Sequence, residues 1–288
     1  MPRSELLTFE EITRIAKLLV NNHGFNSIRL TGGEPTVRAH LPRLVGQLAG
    51  LDADLSLTTN GATLRGSAAD LAAAGLTRIN ISLDTLRHDR FVELTRRDDL
   101  DRVLDGIEAA KEAGLDPVKL NMVVMVGIND DEVLDFATFG RENDVIVRFI
   151  EFMPLDASGE WTAERVMAHH DIVEAIQARY PIEPMTRGSS PAERFRYLDG
   201  RGELGVIASV TEPFCESCDR IRLTADGQIR NCLFALAEYN LRDPLRAGAS
   251  DAELGAIVAE AVGAKWAGHA IGQVHFIRPK RSMSQIGG

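Results

Sequence analysis

The segment Ser27–Gly33, SIRLTGG, is a short apolar run that ends in two glycines. Four similar runs follow along the chain: DLSLTTNG (Asp54–Gly61), RINISLD (Arg78–Asp84), VKLNMVVMVG (Val118–Gly127) and VIVRFIEFMP (Val145–Pro154). They are apolar and β-branched without clean alternation, which is typical of strands buried on both faces of a parallel sheet. Polar or glycine-bearing residues close these runs, and in barrel-type α/β folds the carboxyl ends of the strands form the active face.

Amphipathic helical patterns separate these strands. The first, FEEITRIAKLLVNNHG, begins at Phe9 and ends at Gly24, and two more occupy about His88–Arg96 and Leu100–Ala113. Repeated βα units with right-handed crossovers build either a doubly wound sheet or a barrel. Five strands are too few for a closed eight-stranded barrel.

The alternation stops at the fifth strand. Glu164–Tyr180 indicates one helix, Arg187–Gly205 a loop with short strands, and Ala252–Val262 a final helix. The tail PKRSMSQIGG has no core-forming pattern. We therefore divide the chain into an α/β unit, residues 1–154, and a C-terminal region, residues 155–288.

The composition is typical of a soluble globular protein, since 44% of the 288 residues are hydrophobic and 26% are charged. No run of about 18 apolar residues is present, so we expect no membrane helix. The N-terminal sequence MPRSELLTFEEI lacks the regions of a secretory signal, which predicts a cytoplasmic protein with reduced thiols. The net charge of −10 predicts a surface that repels nucleic acid and anionic lipid, so an anionic substrate would need a local basic pocket.

All three cysteines, Cys215, Cys218 and Cys232, lie in FCESCDRIRLTADGQIRNCLF (Phe214–Phe234) with the spacing C-x2-C-x13-C. The turn signal ADGQ predicts a hairpin that returns Cys232 beside the other two. Structural zinc takes four ligands and iron–sulfur clusters are usually held by four cysteines, yet no histidine lies close in sequence. Three ligands leave one position for something else to bind, and three incidental buried cysteines are the alternative.

Arg220 and Arg222 are two residues apart, so in a strand they point the same way. Two guanidinium groups beside an open metal position indicate a phosphate-bearing ligand, whereas a solvated hairpin face is the alternative. The segment IRLTGGEPTVR (Ile28–Arg38) lets the backbone approach a ligand closely at its glycines. It matches neither of the nucleotide-phosphate motifs G-x-G-x-x-G and G-x-x-x-x-G-K-[ST]. GGEP alone could be a plain turn.

GGEP after a buried strand is similar to the S-adenosylmethionine-binding GGE motif of radical S-adenosylmethionine (radical SAM) enzymes. Further matching segments are LTTNG, INISLD, KLNMVV and RFIEFMP. Together with the cysteine segment and the terminal Gly287-Gly288, the whole chain resembles the GTP 3′,8-cyclase family, which performs the first step of molybdenum cofactor biosynthesis.

The resemblance implies a partial (βα)6 barrel with a [4Fe–4S] cluster at each end. One cluster would cleave S-adenosylmethionine to a 5′-deoxyadenosyl radical, which takes the 3′ hydrogen of GTP before the sugar carbon attacks C8 of guanine. The second cluster would be held by Cys215, Cys218 and Cys232, with its open iron facing the guanine. Thus the missing ligand would be the substrate.

The resemblance also implies which residues contact each ligand. Those for GTP are Arg29, Thr58, Lys119, Arg220 and Arg222; those for S-adenosylmethionine are Gly33, Ser82 and Met153; and the Gly287-Gly288 tail would reach the active site. Without the resemblance, the hydroxyls of Thr58 and Ser82 could satisfy backbone groups at strand ends, and Met153 could fill the core. A basic residue inside a buried strand is costly unless an anion pairs with it.

The sequence departs from the family at its start, because no cysteine precedes Cys215. The family's N-terminal strand, its C-x3-C-x2-C motif for the radical-generating cluster and an upstream GTP-binding arginine have no counterpart. We therefore expect a partial barrel that lacks its first strand, in an N-terminally truncated chain that does not turn over as given. The exposed sheet edge would favour pairing with a partner, and a homodimer is one such expectation.

Four functional hypotheses remain at this point. The first is the cyclase, which would act before the downstream cyclic pyranopterin monophosphate synthase. The others are a non-catalytic remnant that binds GTP and one iron–sulfur cluster, another radical SAM enzyme with an auxiliary cluster, and a zinc-binding α/β domain.

Overall fold

The computed structural model describes residues 2–155, 159, 161–188, 190–265, 271, 279, 281 and 283–286. Helices and strands alternate through its first part. These elements are α1 Phe9–His23, β1 Ser27–Leu30, α2 Leu41–Ala49, β2 Asp54–Thr59, α3 Ala68–Ala73, β3 Arg78–Ser82, α4 His88–Thr95, α5 Leu100–Glu112, β4 Val118–Val124, α6 Val133–Asn143 and β5 Ile146–Glu151. Every strand that the sequence predicted in this part is present.

Shorter elements make up the second part. They are α7 His169–Gln177, β6 Ile182–Met185, β7 Glu193–Tyr197, β8 Glu203–Ile207, β9 Arg222–Leu223, β10 Gln228–Arg230, β11 Tyr239–Asn240, α8 Arg242–Arg246, α9 Asp251–Gly263 and α10 Met283–Ile286. The predicted final helix is α9, which begins with a capping box between Ser250 and Glu253.

The fold is mixed α/β around a parallel sheet, as predicted. The strand order is β1-β2-β3-β4-β5-β8-β7-β6, and all neighbours from β1 to β8 are parallel, while β7 and β6 are antiparallel. Among the described residues, β1 is an edge strand. The sheet includes strands from both sides of residue 154, because β8 pairs with β5. The division of the chain into residues 1–154 and 155–288 stays a prediction.

One sequence prediction needs correction in the second part. The helix expected over Glu164–Tyr180 is confined to α7, because Val166 forms a β-bridge with Met125 and holds the preceding backbone extended. The segment Arg187–Gly205 is a loop with short strands, as expected, and it supplies β7 and the start of β8. Their antiparallel pairing satisfies the backbone groups of a polar segment within the sheet.

The two faces of the sheet differ in chemistry. One face is apolar and packs under the helices, as Leu57, Ile81, Leu120 and Phe149 illustrate, each fully or almost fully buried. The opposite face carries polar side chains in register across the strands. That face is also buried at Ser56, Thr58, Asn80 and Arg148, as expected of strands buried on both faces, but its polar chemistry was not predicted. It lines a cavity and needs groups that a ligand or water can contact.

A second apolar cluster fixes the C-terminal region against the first helix. Leu7, Ile15 and Leu18 pack with Ile229 of the hairpin and Leu254 of α9. Because this cluster joins α1, α9 and the hairpin, the cysteine segment is anchored to the edge of the sheet near β1. None of the described helices is long and apolar enough to span a bilayer.

Candidate functional site

A cavity of about 1670 Å³ lies between the polar sheet face, α1, α9 and the cysteine segment. This exceeds the roughly 300–1,000 Å³ of a pocket for one small molecule, so it has room for more than one ligand. The structure brings many of the sequence-predicted site residues to its wall. They are Arg29, Gly33, Thr58, Met153, Cys215, Cys218, Arg220, Arg222 and Cys232.

The remaining predicted site residues lie elsewhere. Lys119 borders a small adjoining pocket that it shares with Arg29 and Arg78. Ser82 is exposed at the end of β3 and is not part of the cavity wall, although its partner in the sheet register, Asn121, is. Gly287 and Gly288 lie outside the described residues.

The cysteine segment folds as predicted, with a hairpin between the second and third cysteines. Arg222 of β9 pairs with Arg230 of β10. The turn between them includes Gly227 at φ +78°, where an added Cβ would lie 2.6 Å from the Cβ of Arg242. Only glycine suits that position, because the backbone is left-handed and the neighbouring helix is in contact.

All three cysteines line the cavity, and none of them is in a disulfide. Burial acts to raise the pKa of Cys218, but the backbone N–H and guanidinium of Arg220 outweigh it and lower the pKa below its usual range. The Arg220 guanidinium donates to the Cys218 sulfur at 3.4 Å. The thiolate, which is the form that binds metal, is thereby favoured.

The spacing of the sulfurs distinguishes between metals. Thiolates on one tetrahedral zinc lie about 3.8 Å apart, since each Zn–S bond is about 2.3 Å. In the described part of the chain, the three cysteines do not form a group whose ligand atoms all lie within 4.8 Å of one another. An iron–sulfur cluster binds each cysteine to a different iron, so it does not need the three sulfurs to lie as close together as a single zinc ion does.

Cationic side chains converge beside the thiols. Burial and the charges of Arg220 and Arg29 lower the pKa of Arg222 to about 10, although the thiols of Cys232 and Cys218 act to raise it. The Arg29 side chain is accessible to solvent and lines the cavity. Protein surrounds it there, so burial and the charges of Arg78 and Arg220 lower its pKa. These cations repel one another, so a bound anion would relieve the repulsion.

The polar face of the sheet extends this positive region. Arg29, Ser56 and Arg78 lie in one row across β1, β2 and β3. The next row contains Thr58, Asn80 and Lys119. Residues two apart on a strand share a face, so both rows point to the same side of the sheet.

The side chain of Arg148 on β5 completes this face. It is buried, donates to Asn80 Oδ1, and its Nε has no hydrogen-bond partner. Burial and the charges of Arg29 and Arg78 lower the pKa of Arg148 to about 9.

Burial and the charges of Arg148 and Arg78 likewise lower the pKa of Lys119 to about 8. The buried atoms Arg78 Nε and Asn121 Oδ1 on the same face also lack hydrogen-bond partners. Unsatisfied buried polar groups of this kind are rare, and they leave hydrogen-bonding positions for a ligand, an ion or water.

Sequence reasoning missed Arg78 and Arg148. The signal that singled out Arg29 and Lys119, a basic residue inside an apolar strand, was also present at RINIS and VRFIE. It was not decisive, because a strand pattern does not show which face turns inward until the register is known.

The glycine segment is shaped by the carboxylate of Glu34. Its Oε1 accepts hydrogen bonds from Thr36 N–H at 3.0 Å and from the Thr59 hydroxyl at 2.7 Å, while Oε2 accepts from Asn60 N–H at 2.7 Å. The carboxylate thus joins the carboxyl ends of β1 and β2, and this fixes the position of Gly33 on the cavity wall.

Replacing Glu34 by alanine is expected to lower the free energy of unfolding by about 2 to 3 kcal/mol, because two buried or half-buried hydroxyls and two N–H groups lose their acceptor. Urea unfolding of the full chain measures this. The control is Glu93→Ala on the exposed face of α4, which should change stability by less than about 0.5 kcal/mol. Equal effects of the two substitutions would contradict the role of Glu34.

The fold and the sequence together define the class of protein. The pattern of the Radical SAM superfamily matches residues 1–140, and that of Molybdenum Cofactor Synthesis C matches residues 145–271. The crystal structure of Streptococcus suis SuiB bound to S-adenosylmethionine is similar in fold, with a TM-score of 0.51 and 19% identity over 59% of this chain and 40% of that chain. The class is therefore a radical SAM protein with a molybdenum cofactor synthesis region.

Curated relatives narrow this class. The GTP 3′,8-cyclase of Streptomyces coelicolor is 47% identical over 293 residues, covering 100% of this chain and 86% of the relative. That of Moorella thermoacetica is 46% identical over 288 residues, covering 99% and 88%. The chain belongs to the GTP 3′,8-cyclase family, and the hypothesis of a different radical SAM enzyme with an auxiliary cluster is wrong.

Proposed function

We propose that this chain binds GTP for radical cyclisation to (8S)-3′,8-cyclo-7,8-dihydroguanosine 5′-triphosphate in molybdenum cofactor biosynthesis. One observation carries the proposal. A single cavity adjoins three cysteine thiols, the GGE segment and a converging set of cations with unsatisfied buried groups. In a chain with a net charge of −10, such a set is a local site for a highly charged anion.

The triphosphate is the part of GTP that these cations fit. Arg29, Arg220 and Arg222 present guanidinium groups to the cavity, and guanidinium binds phosphate oxygens in a bidentate manner. Lys119 and Arg148 add positive charge from the sheet face. Thr58, which is buried and accepts a hydrogen bond from Asn80, places a hydroxyl on the same face.

The guanine would lie toward the cysteine segment. Cys215, Cys218 and Cys232 would hold a [4Fe–4S] cluster, and when bound it would supply an iron without a protein ligand to which the purine can coordinate. Phe214 lies beneath the guanidinium groups of Arg187 and Arg220, at 5.0 and 5.1 Å from its ring centroid. These stacked contacts hold the two arginines in place beside the cysteines.

S-adenosylmethionine would bind at the carboxyl ends of β1, β3 and β5. Gly33 and Met153 lie on the cavity wall there, and Ser82 lies at the end of β3. When bound with a reducing cluster, this cofactor would supply the radical that removes the 3′ hydrogen of GTP. The chain's own contribution is to hold both ligands in one cavity, which fixes their orientation.

A non-catalytic role for these 288 residues is the second candidate, and one observation favours it. The chain has three cysteines, all in the C-terminal segment, so it supplies ligands for one cluster. We propose that these residues alone bind GTP and one cluster without cleaving S-adenosylmethionine. The family's N-terminal cluster would need ligands that they do not contain.

Anaerobic reconstitution followed by reduction tests both candidates. We expect about four irons per chain, GTP binding by calorimetry, and no 5′-deoxyadenosine from S-adenosylmethionine. Formation of 5′-deoxyadenosine would contradict the non-catalytic role. Failure to bind GTP in the cluster-loaded chain would contradict both.

The cellular location and the partners of the protein are part of the same proposal. We place the protein in the cytoplasm, where thiols stay reduced, and upstream of cyclic pyranopterin monophosphate synthase. Pairing of two copies through the β1 edge is a further proposal, since an edge strand presents unpaired backbone groups.

The affinity for GTP should depend on pH through Lys119. In the free chain Lys119 loses its charge as the pH rises through about 8, and the bound triphosphate would favour the charged form. Binding is therefore at full strength below that pH and weakens above it, by at most about tenfold per pH unit for this one group. Calorimetric Kd values from about pH 7 to 8.5 measure the effect of Lys119, because Arg148 and Arg222 lose their charge at higher pH, near 9 and 10. Lys119→Arg should flatten the profile in this range, and an unchanged slope in that variant would contradict the assignment.

A further inference from the structure

A second group of metal-ligating side chains lies away from the cavity. His169 is the first residue of α7, Glu193 begins β7, and Glu212 lies in the segment between β8 and Cys215. One ligand atom from each lies within 4.8 Å of the other two. None of the three residues lines the cavity or belongs to the proposed GTP site.

The contact between His169 and Glu193 brings two possible ligands of one ion together. His169 Nε2 is 2.8 Å from Glu193 Oε2, yet this buried nitrogen makes no hydrogen bond with a described residue. Ligands held at about 2.1 Å around one tetrahedral ion lie about 3.4 Å apart, with their lone pairs turned to the metal. A small separation of these two side chains would therefore admit an ion between them.

The group is held in place by its surroundings. The backbone N–H of His169 donates to Glu151 Oε1 at 3.0 Å, and Val210 and Thr211 donate to Glu151 Oε2 at 2.7 and 2.9 Å. The buried Glu151 carboxylate therefore fixes both the start of α7 and the segment that carries Glu212. Phe195 packs beside the imidazole, with 6.2 Å between the ring centroids.

The third side chain lies near the other ring nitrogen. Glu212 Oε1 is 3.5 Å from His169 Nδ1, so the Glu212 side chain must turn toward Nε2 for all three residues to bind one ion. The Glu212 side chain is 60% exposed, whereas that of His169 is 12% exposed, so an ion can enter from solvent and still meet a fixed imidazole.

From this geometry we propose a binding site for a divalent transition-metal ion, formed by the imidazole of His169 and the carboxylates of Glu193 and Glu212. One nitrogen and two carboxylate oxygens, with a further position open to water, suit Zn²⁺. The ion would join α7, β7 and the segment that leads into Cys215. It would thereby hold the entry to the cysteine segment against the sheet.

Zinc binding to the full 288-residue chain tests the proposal, with all three cysteines replaced by serine so that thiolates do not contribute. Calorimetry should find one Zn²⁺ per chain. His169→Gln and Glu193→Gln should each weaken Zn²⁺ binding at least about tenfold. The matched controls are His170→Gln, whose side chain is 73% exposed and adjacent in sequence, and Glu174→Gln on the exposed side of α7, and both should leave Kd unchanged.

Thermal unfolding gives a second readout, since Zn²⁺ should raise Tm in the serine background and not after His169→Gln. If the serine variant does not fold, Mn²⁺ binding to the reconstituted wild-type chain replaces it, because Mn²⁺ favours oxygen and nitrogen ligands over thiolates. Absence of metal binding, or binding that His169→Gln leaves intact, overturns the proposal. Such a result would establish instead that a histidine bridges two glutamates without a metal.

Discussion

Replacing Cys218 by serine is expected to reduce the iron retained after anaerobic reconstitution from about four per chain to less than about one. Cys218 contributes one of three thiolates that lie on one cavity wall, and its thiolate is favoured by the neighbouring Arg220. A cluster with three protein ligands is expected to be lost when one is removed, because its fourth position is already without a protein ligand. Iron and sulfide analysis together with the visible absorbance of the cluster measures the loss.

A matched change in the same segment provides the control. Ser217→Ala removes a hydroxyl that donates to the Phe214 carbonyl, so about four irons should remain. Retention of the cluster in Cys218→Ser would contradict the ligand assignment. Recovery of one zinc per wild-type chain, in place of iron, would favour the zinc-domain hypothesis.

Replacing Arg222 by glutamine is expected to raise the Kd for GTP at least about 30-fold, because a desolvated charge pair with phosphate loses one partner. Arg222 lies between Arg220, Arg29 and the thiols in the cavity, where burial strengthens its interaction with an anion. Guanosine, which has no phosphates, should bind the variant within about threefold of wild type. Calorimetry with both ligands on the cluster-loaded chain makes the comparison.

The control for this charge is Arg196→Gln. Arg196 is exposed on β7 and pairs with Glu183, so its loss removes one positive charge without reaching the cavity. GTP affinity should then change by less than about twofold. If Arg222→Gln weakened GTP and guanosine equally, Arg222 would act on the scaffold and not on the phosphates.

Much of the architecture could be predicted from the sequence, because its causes are local. Five apolar runs separated by amphipathic helices gave the parallel strands, and Gly24 ends α1 in the left-handed conformation that favours glycine. The hairpin between Cys218 and Cys232 followed from the residues of its turn. The family assignment likewise depended on contiguous motifs.

The face that each strand turns to the cavity was not predictable in this way. Arg78 and Arg148 belong to the positive region as fully as Arg29 does, yet their contribution appears only when the register of three or more strands is known. The same is true of β8, whose place beside β5 depends on a pairing between segments more than 50 residues apart in the chain. Such non-local contacts have no signature in a sequence window.

The sequence by itself determined the class of fold, the positions of the first five strands and the family, and it singled out the three cysteines as candidate ligands. Only the tertiary structure decided which cations meet around one cavity, that Lys119 and Arg148 have lowered pKa values, and that His169, Glu193 and Glu212 converge. The physical reason is that strand and turn propensities act between near neighbours. Burial, charge repulsion and ligand geometry instead depend on distances between residues that the chain separates and the fold brings together.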